Sequence, residues 1–162
     1  MRIDVNPTLR LMEIGFGKSD LELTHRWPTN DVLAEWGLSP NDVKVTHIEI
    51  CASLGWGLEV LRYVQANGNE SVRAGVQNSK VRTIAITSPI SEISMKNGTY
   101  GILGLKIIDI NGKEIFNDEW NEGEGEWTRE SIPLGHTLVG FKWRFNHACN
   151  SLWRISFILW KP

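Results

Sequence analysis

One thirteen-residue stretch occurs twice in this chain. Leu58-Glu-Val-Leu-Arg-Tyr-Val-Gln-Ala-Asn-Gly-Asn-Glu70 and Ile102-Leu-Gly-Leu-Lys-Ile-Ile-Asp-Ile-Asn-Gly-Lys-Glu114 stand 44 residues apart. Apolar residues match at 58/102, 61/105 and 64/108, Arg62 matches Lys106, and Asn-Gly-x-Glu falls in register. A third copy, Leu152-Trp-Arg-Ile-Ser-Phe-Ile-Leu-Trp160, matches at Leu152 and Ile155 with an offset of 50. A period of this length marks one supersecondary unit per copy, and such units bury their apolar faces only against one another.

Each copy follows another apolar segment: Val45-Thr-His-Ile-Glu-Ile-Cys51, Ile90-Ser-Glu-Ile-Ser-Met95 and Thr137-Leu-Val-Gly-Phe-Lys-Trp143. Gly- or Asn-bearing connections join the pairs at Ser53–Gly57, Lys96–Gly101 and Arg144–Ser151. The segments are β-branched and aromatic, as pleated half-buried surfaces require. The Asn-Gly pairs at 67–68 and 111–112, flanked by apolar residues, predict type I′ hairpin turns. Residues 43–162 therefore read as an all-β domain of three hairpin units. Two closed arrangements abolish most sheet edges: a β-prism of three four-stranded, Greek-key-like sheets with a pseudo-threefold repeat, or a β-trefoil. Residues 1–42 read as an N-terminal extension packing on that domain. It holds an edge strand around Met12–Phe16 and Leu21–Leu23 and a short helix Asp31–Trp36, capped by Thr29 or Asn30 and followed by Gly37 and Pro40.

Length and charge narrow the function classes. A chain of 162 residues is one domain that needs no metal or disulfide staple. Net charge is −2, without the basic stripe of a nucleic-acid-binding surface. Seven acids (Asp109, Glu114, Asp118, Glu119, Glu122, Glu124, Glu126) face Lys113 alone within residues 109–126. No apolar run reaches the ~20 residues of a membrane-spanning helix. Residues 1–20 lack the apolar centre of a secretory leader, so an intracellular location is expected, with a mature secreted form left open. Cys51 and Cys149 form no metal or redox motif and read as two small buried residues, with a disulfide left open. Eight Trp residues are many for so short a chain and supply packing blocks, binding platforms, or both.

The segments Ile48-Glu-Ile … Leu58-Glu-Val-Leu … Gly68 … Gly75, Leu103-Gly-Leu-Lys-Ile … Asn111-Gly, Leu138-Val-Gly-Phe-Lys and Ser151-Leu-Trp-Arg-Ile-Ser-Phe-Ile-Leu-Trp160 together resemble a jacalin-type lectin domain over about residues 43–161. The terminal strand with its late Trp is most similar to the zymogen-granule branch. The resemblance implies a β-prism and calcium-independent sugar binding in loops at one end. It also implies a Gly-x-x-x-Asp motif whose carboxylate accepts charge-assisted hydrogen bonds from sugar hydroxyls. Carried onto this chain, the third unit has Trp153 at the place of the acid and Cys149 at the place of the Gly. An indole donates only and cannot replace a carboxylate. The second unit has Leu103 there. The first retains the pattern as Gly55-Trp56-Gly57-Leu58-Glu59, with Glu59 as acceptor and Trp56 as a stacking surface.

The expected carbohydrate-binding residues are therefore Gly55, Trp56, Gly57 and Glu59, joined by His147 and Asn150 from the unit-three loop. The acidic loop, through Glu122, Glu124, Glu126 and Trp127, is a candidate docking surface for a protein partner. His147-x-Cys149 offers too few ligands for structural zinc. The Asp118–Glu126 loop clusters oxygen ligands that suit a hard cation such as Ca²⁺ but reads better as a solvated acidic loop, and Asp109–Glu114 lacks the 12-residue calcium-loop spacing, so no metal or cofactor is expected. Nothing marks a catalytic carboxylate pair or nucleophile. The expected function is a lectin-like module without catalysis, using the Ser53–Glu59 loop and binding a sugar or a glycoprotein glycan. The alternative is a structural subunit of a larger protein assembly in which the sugar site is lost. Homo-oligomerisation through exposed strands is open to either.

Overall fold

A computed structural model describes residues 2–6, 11–17, 40–54, 57–71, 80–146 and 151–161. Each repeat unit is an antiparallel hairpin. Strands β3 (Val45–Ser53) and β4 (Gly57–Gln65) form the first, β6 (Ile90–Asn97) and β7 (Ile102–Asp109) the second, β10 (Thr137–Asn146) and β11 (Ser151–Trp160) the third. The remaining elements are β1 (Arg2–Asn6), β2 (Leu11–Gly17), α1 (Pro40–Val43), β5 (Arg82–Ala85), β8 (Glu114–Glu119) and β9 (Glu126–Ser131). They assemble as three separate sheets in the orders β4-β3-β5, β8-β7-β6-β9 and β1-β2-β11-β10. This is the prism, and the trefoil alternative falls. Two sheets have four strands, as expected; the first has three among the described residues.

The third sheet shows why the N-terminal region matters. Its hairpin is completed by β2, which pairs along β11 from Leu11↔Trp160 to Gly17↔Arg154. The Met12–Phe16 strand was expected at an edge. It lies inside the sheet, because β1 pairs with its other side, and Met12, Ile14 and Phe16 enter the core. The expected strand at Leu21–Leu23 and helix at Asp31–Trp36 lie outside the described residues.

The repeat spacing has a structural cause. A regular strand puts every second residue on one face, yet Val45/Ile48, Ile90/Ile93 and Leu138/Phe141 are pairs three apart and all buried. Register shifts between Val45 and His47, Ile90 and Glu92, and Leu138 and Gly140 insert one extra residue in each unit. A second bulge recurs on the partner strands. Cys51↔Val60 is followed by Ala52↔Leu58, Lys96↔Gly104 by Asn97↔Ile102, and Arg144↔Arg154 by Phe145↔Leu152. The residues left unpaired in those ladders are Glu59, Leu103 and Trp153. These bulges bring Leu58/Leu61, Ile102/Leu105 and Leu152/Ile155 to the same side as pairs three apart, all fully buried.

The first and third sheets meet at Phe141, whose ring takes edge contacts from Tyr63 (4.8 Å), Phe157 (5.8 Å) and Trp143 (6.1 Å). Burial pushes the Tyr63 hydroxyl up to about 12. A smaller cluster of Val43, Val139, Ile158 and Trp160 seats α1 against β10 and β11. The Asn-Gly turns differ from expectation. The Gly68 N–H donates to Gln65 C=O (2.9 Å) and the Gly112 N–H to Asp109 C=O (3.0 Å), so each Gly is fourth in its turn. With φ of 87° and 79°, these are three-residue loops with Gly in the left-handed bulge position. The matching cation and acid then meet across each hairpin: Arg62–Glu70 at 2.9 Å and Lys106–Glu114 at 3.7 Å.

Candidate functional site

Gly57 of unit one, Thr99 and Tyr100 of unit two, and Asn146 and Trp153 of unit three meet at one end of the prism. Gly57 (φ 99°) lies so close to unit two that a Cβ there would sit 2.4 Å from the Ile102 carbonyl oxygen. From unit three, Asn146 Nδ2 donates to the Tyr100 carbonyl at 3.0 Å, and Trp153 Nε1 to the Thr99 carbonyl at a long 3.4 Å. The acidic loop reaches the same end, where Glu124 Oε1 accepts the Thr99 N–H at 3.1 Å. The opposite end carries an apolar cavity of about 480 Å³ among Ile90, Ile110, Ile132 and Leu134, without a carboxylate.

The second bulge gives the loop end its chemistry. A bulge takes one residue out of the ladder and re-aims its side chain, and the three residues so placed differ in kind. Glu59 is 2% exposed and accepts a hydrogen bond from Ser53 Oγ on the facing strand. Leu103 is buried and touches Gly57 and Gly98. Trp153 is half-buried. A buried carboxylate is costly unless donors satisfy it, and Ser53 Oγ donates to Glu59 Oε1.

Of the expected sugar residues, Gly57 and Glu59 are adjacent at this end; Gly55, Trp56, His147 and Asn150 lie outside the described residues, as does Cys149. Cys51 is buried. In the acidic loop Glu122, Glu124 and Glu126 are exposed. Trp127 is 42% exposed, with its Nε1 donating to Glu119 Oε2 at 3.1 Å. Among the described residues no three His, Cys, Asp or Glu side chains are gathered as metal ligands. Among the described residues no helix is long and apolar enough to cross a membrane.

Two neighbours at the loop end escaped sequence reading. Tyr100 is 61% exposed, a phenol ring standing at the tip of the unit-two connection. Leu54, 85% exposed, stands at the tip of the unit-one connection. Both lie in joining segments of the hairpins, Leu54 in Ser53–Gly57 and Tyr100 in Lys96–Gly101.

No protein-family model matches the chain, and no curated protein matches it in sequence. Solved structures do match in shape. A mannose-binding jacalin-related lectin from Ananas comosus is 14% identical with a TM-score of 0.65, covering 94% of this chain and 99% of its own. A prostate-specific WGA16 glycoprotein lectin is 13% identical with a TM-score of 0.62, covering 94% of this chain and 92% of its own. A lamprey immune protein is 14% identical with a TM-score of 0.65; 93% of this chain aligns, spanning 44% of that longer protein. The fold is the β-prism of jacalin-related lectins.

Proposed function

We propose that the chain is a carbohydrate-binding module without catalysis, and that sugar is taken at the loop end by the Ser53–Glu59 segment. The observation carrying this reading is Glu59: a buried carboxylate at a bulge, anchored by Ser53 beside a glycine whose backbone adjoins the next unit. A carboxylate held in place suits vicinal hydroxyls, since charge-assisted hydrogen bonds are about twice as strong as neutral ones. The exposed Tyr100 ring supplies an apolar face for stacking. The Ananas lectin of the same fold is described as mannose-binding, which makes mannosides the first probe.

Calorimetry with methyl α-D-mannoside and methyl β-D-galactoside tests the reading. Millimolar binding of one of them is expected, weakened about tenfold or more by Glu59→Gln, the size of a lost hydrogen bond to a charged group. Absence of binding to both at millimolar sugar would overturn it.

A second reading, a structural subunit of a protein assembly, is favoured by Trp153. It occupies the unit-three bulge with a donor-only ring whose N–H is directed to Thr99. Recovery of a stoichiometric partner by native pull-down, lost on Trp153→Ala, would support it over the first.

A further inference from the structure

We propose a second saccharide site, remote from the loop-end bulge, on the outer face of the β8-β7-β6-β9 sheet with Trp127 as its floor. The register places Trp127, Lys96, Gly104 and Glu119 side by side in one row across all four strands. Met95 faces the core, so its neighbour Lys96 faces outward, yet it is only 5% exposed. The cover is the indole. Although Trp127 belongs to β9, a Cβ on Gly104, two strands away, would lie 2.7 Å from Trp127 Cη2 and 2.9 Å from Cζ2. The ring therefore lies across β6 and over the bare backbone of Gly104, and its Nε1 reaches Glu119 on β8 at 3.1 Å. Lys96 is held beneath it by Glu119 (3.5 Å) and the Asn121 carbonyl (2.6 Å). A glycine seat and a hydrogen-bonded edge fix the indole before any ligand arrives, which lowers the ordering cost of binding.

The next rows of the same face carry Arg129, Ser94, Lys106 and Asn117, then Glu92. With Trp127 and Glu119 they line a groove of about 570 Å³, a size typical of small-ligand sites. Its charges cancel in pairs: Lys96 with Glu119, Lys106 with Glu114 and Arg129 with Glu92. A polyanion or a basic peptide would meet repulsion as often as attraction there. An uncharged chain of hydroxyls meets donors and acceptors on every side and an aromatic plane beneath. The occupant this chemistry selects is a neutral glycan with an apolar ring face, such as an all-equatorial β-linked glucan.

The test is a titration of the full chain with cellohexaose, following the Trp127 indole N–H resonance by NMR and affinity by calorimetry. The indole resonance shifts, and Trp127→Ala weakens binding about tenfold or more, the scale of one lost aromatic contact. Gly104→Val, which unseats the ring while keeping it in the chain, gives a similar loss with the remaining amide spectrum preserved. Glu59→Gln leaves cellohexaose binding unchanged, so this site and the loop-end site stand or fall separately. An unmoved indole resonance at millimolar cellohexaose, or full affinity in Trp127→Ala, would overturn the proposal.

Discussion

Units one and two share a sequence repeat and a backbone, yet their outer faces are built for different ends. In unit two Gly104 seats an indole that crosses the sheet; 44 residues earlier the same place is Val60. β9 also extends far enough to set Trp127 opposite Lys96, whereas β5 begins at Arg82, paired with Ile50, one row short of Cys51. Unit one covers its face with ions instead: Arg62 bonds Glu49 and Glu70. The hydrogen bond to Glu49 holds the Arg62 guanidinium above its ordinary range. At the loop end the contrast reverses. The bulge residue is the carboxylate Glu59 in unit one and the inert Leu103 in unit two. Repetition secures the core, and one or two residues per copy assign the surfaces.

The shared part of the comparison is broken most severely in the core. Leu58 and Ile102 are repeat equivalents, each fully buried. Alanine at either is expected to cost about 2–5 kcal/mol, equal between the two within the usual scatter, by denaturant unfolding. A cost below about 1 kcal/mol at one of them would show that the units do not share the core equally.

Gly57→Ala comes next. Its φ of 99° and the Ile102 oxygen 2.4 Å from the new Cβ both oppose the substitution, and a loss of about 2–3 kcal/mol is expected. Tolerance of alanine would mean that the unit-one connection is not locked to unit two.

Tyr63 separates the units by pH, since its counterpart Ile107 has no hydroxyl. The folded phenol titrates at about 12 against an ordinary 10. Below pH 10 both states keep the proton; above it the unfolded chain releases its proton first, so stability falls as pH rises toward 12. The loss reaches about 2 kcal/mol, and chemical denaturation at stepped pH should show it in the wild type beyond the decline in Tyr63→Phe. Identical pH profiles would contradict the burial of that hydroxyl.

The smallest effects lie on the surface. Arg62→Ala is expected to cost up to about 1 kcal/mol and Lys106→Ala under about 0.5, because Arg62 has two acids and Lys106 one longer pair.

Much of this was legible in the sequence, for reasons that can be named. Repeated i, i+3 apolar pairs marked the three units, although a regular strand does not use that spacing; the bulges explain it. The equivalence of Glu59, Leu103 and Trp153, drawn from a family resemblance, coincides with the residues left out of the ladders. Two features were less accessible. β2 looked like an edge because nothing local announces that β1 will pair with it, a contact set by the chain's path. In the sequence Trp127 groups with the acidic loop, because its acidic neighbours are adjacent to it. Its partners Lys96, Gly104 and Glu119 come from three other strands, and only the register gathers them.

The central claim, sugar binding at the unit-one bulge, is tested most directly by an amide NMR titration of the wild type with methyl α-D-mannoside. Progressive shifts confined to Gly57, Glu59, Tyr100 and their loop neighbours, with the Trp127 indole unmoved and all changes lost in Glu59→Gln, are the expected result. A spectrum unchanged at saturating millimolar mannoside, or shifts that persist undiminished in Glu59→Gln, would contradict it.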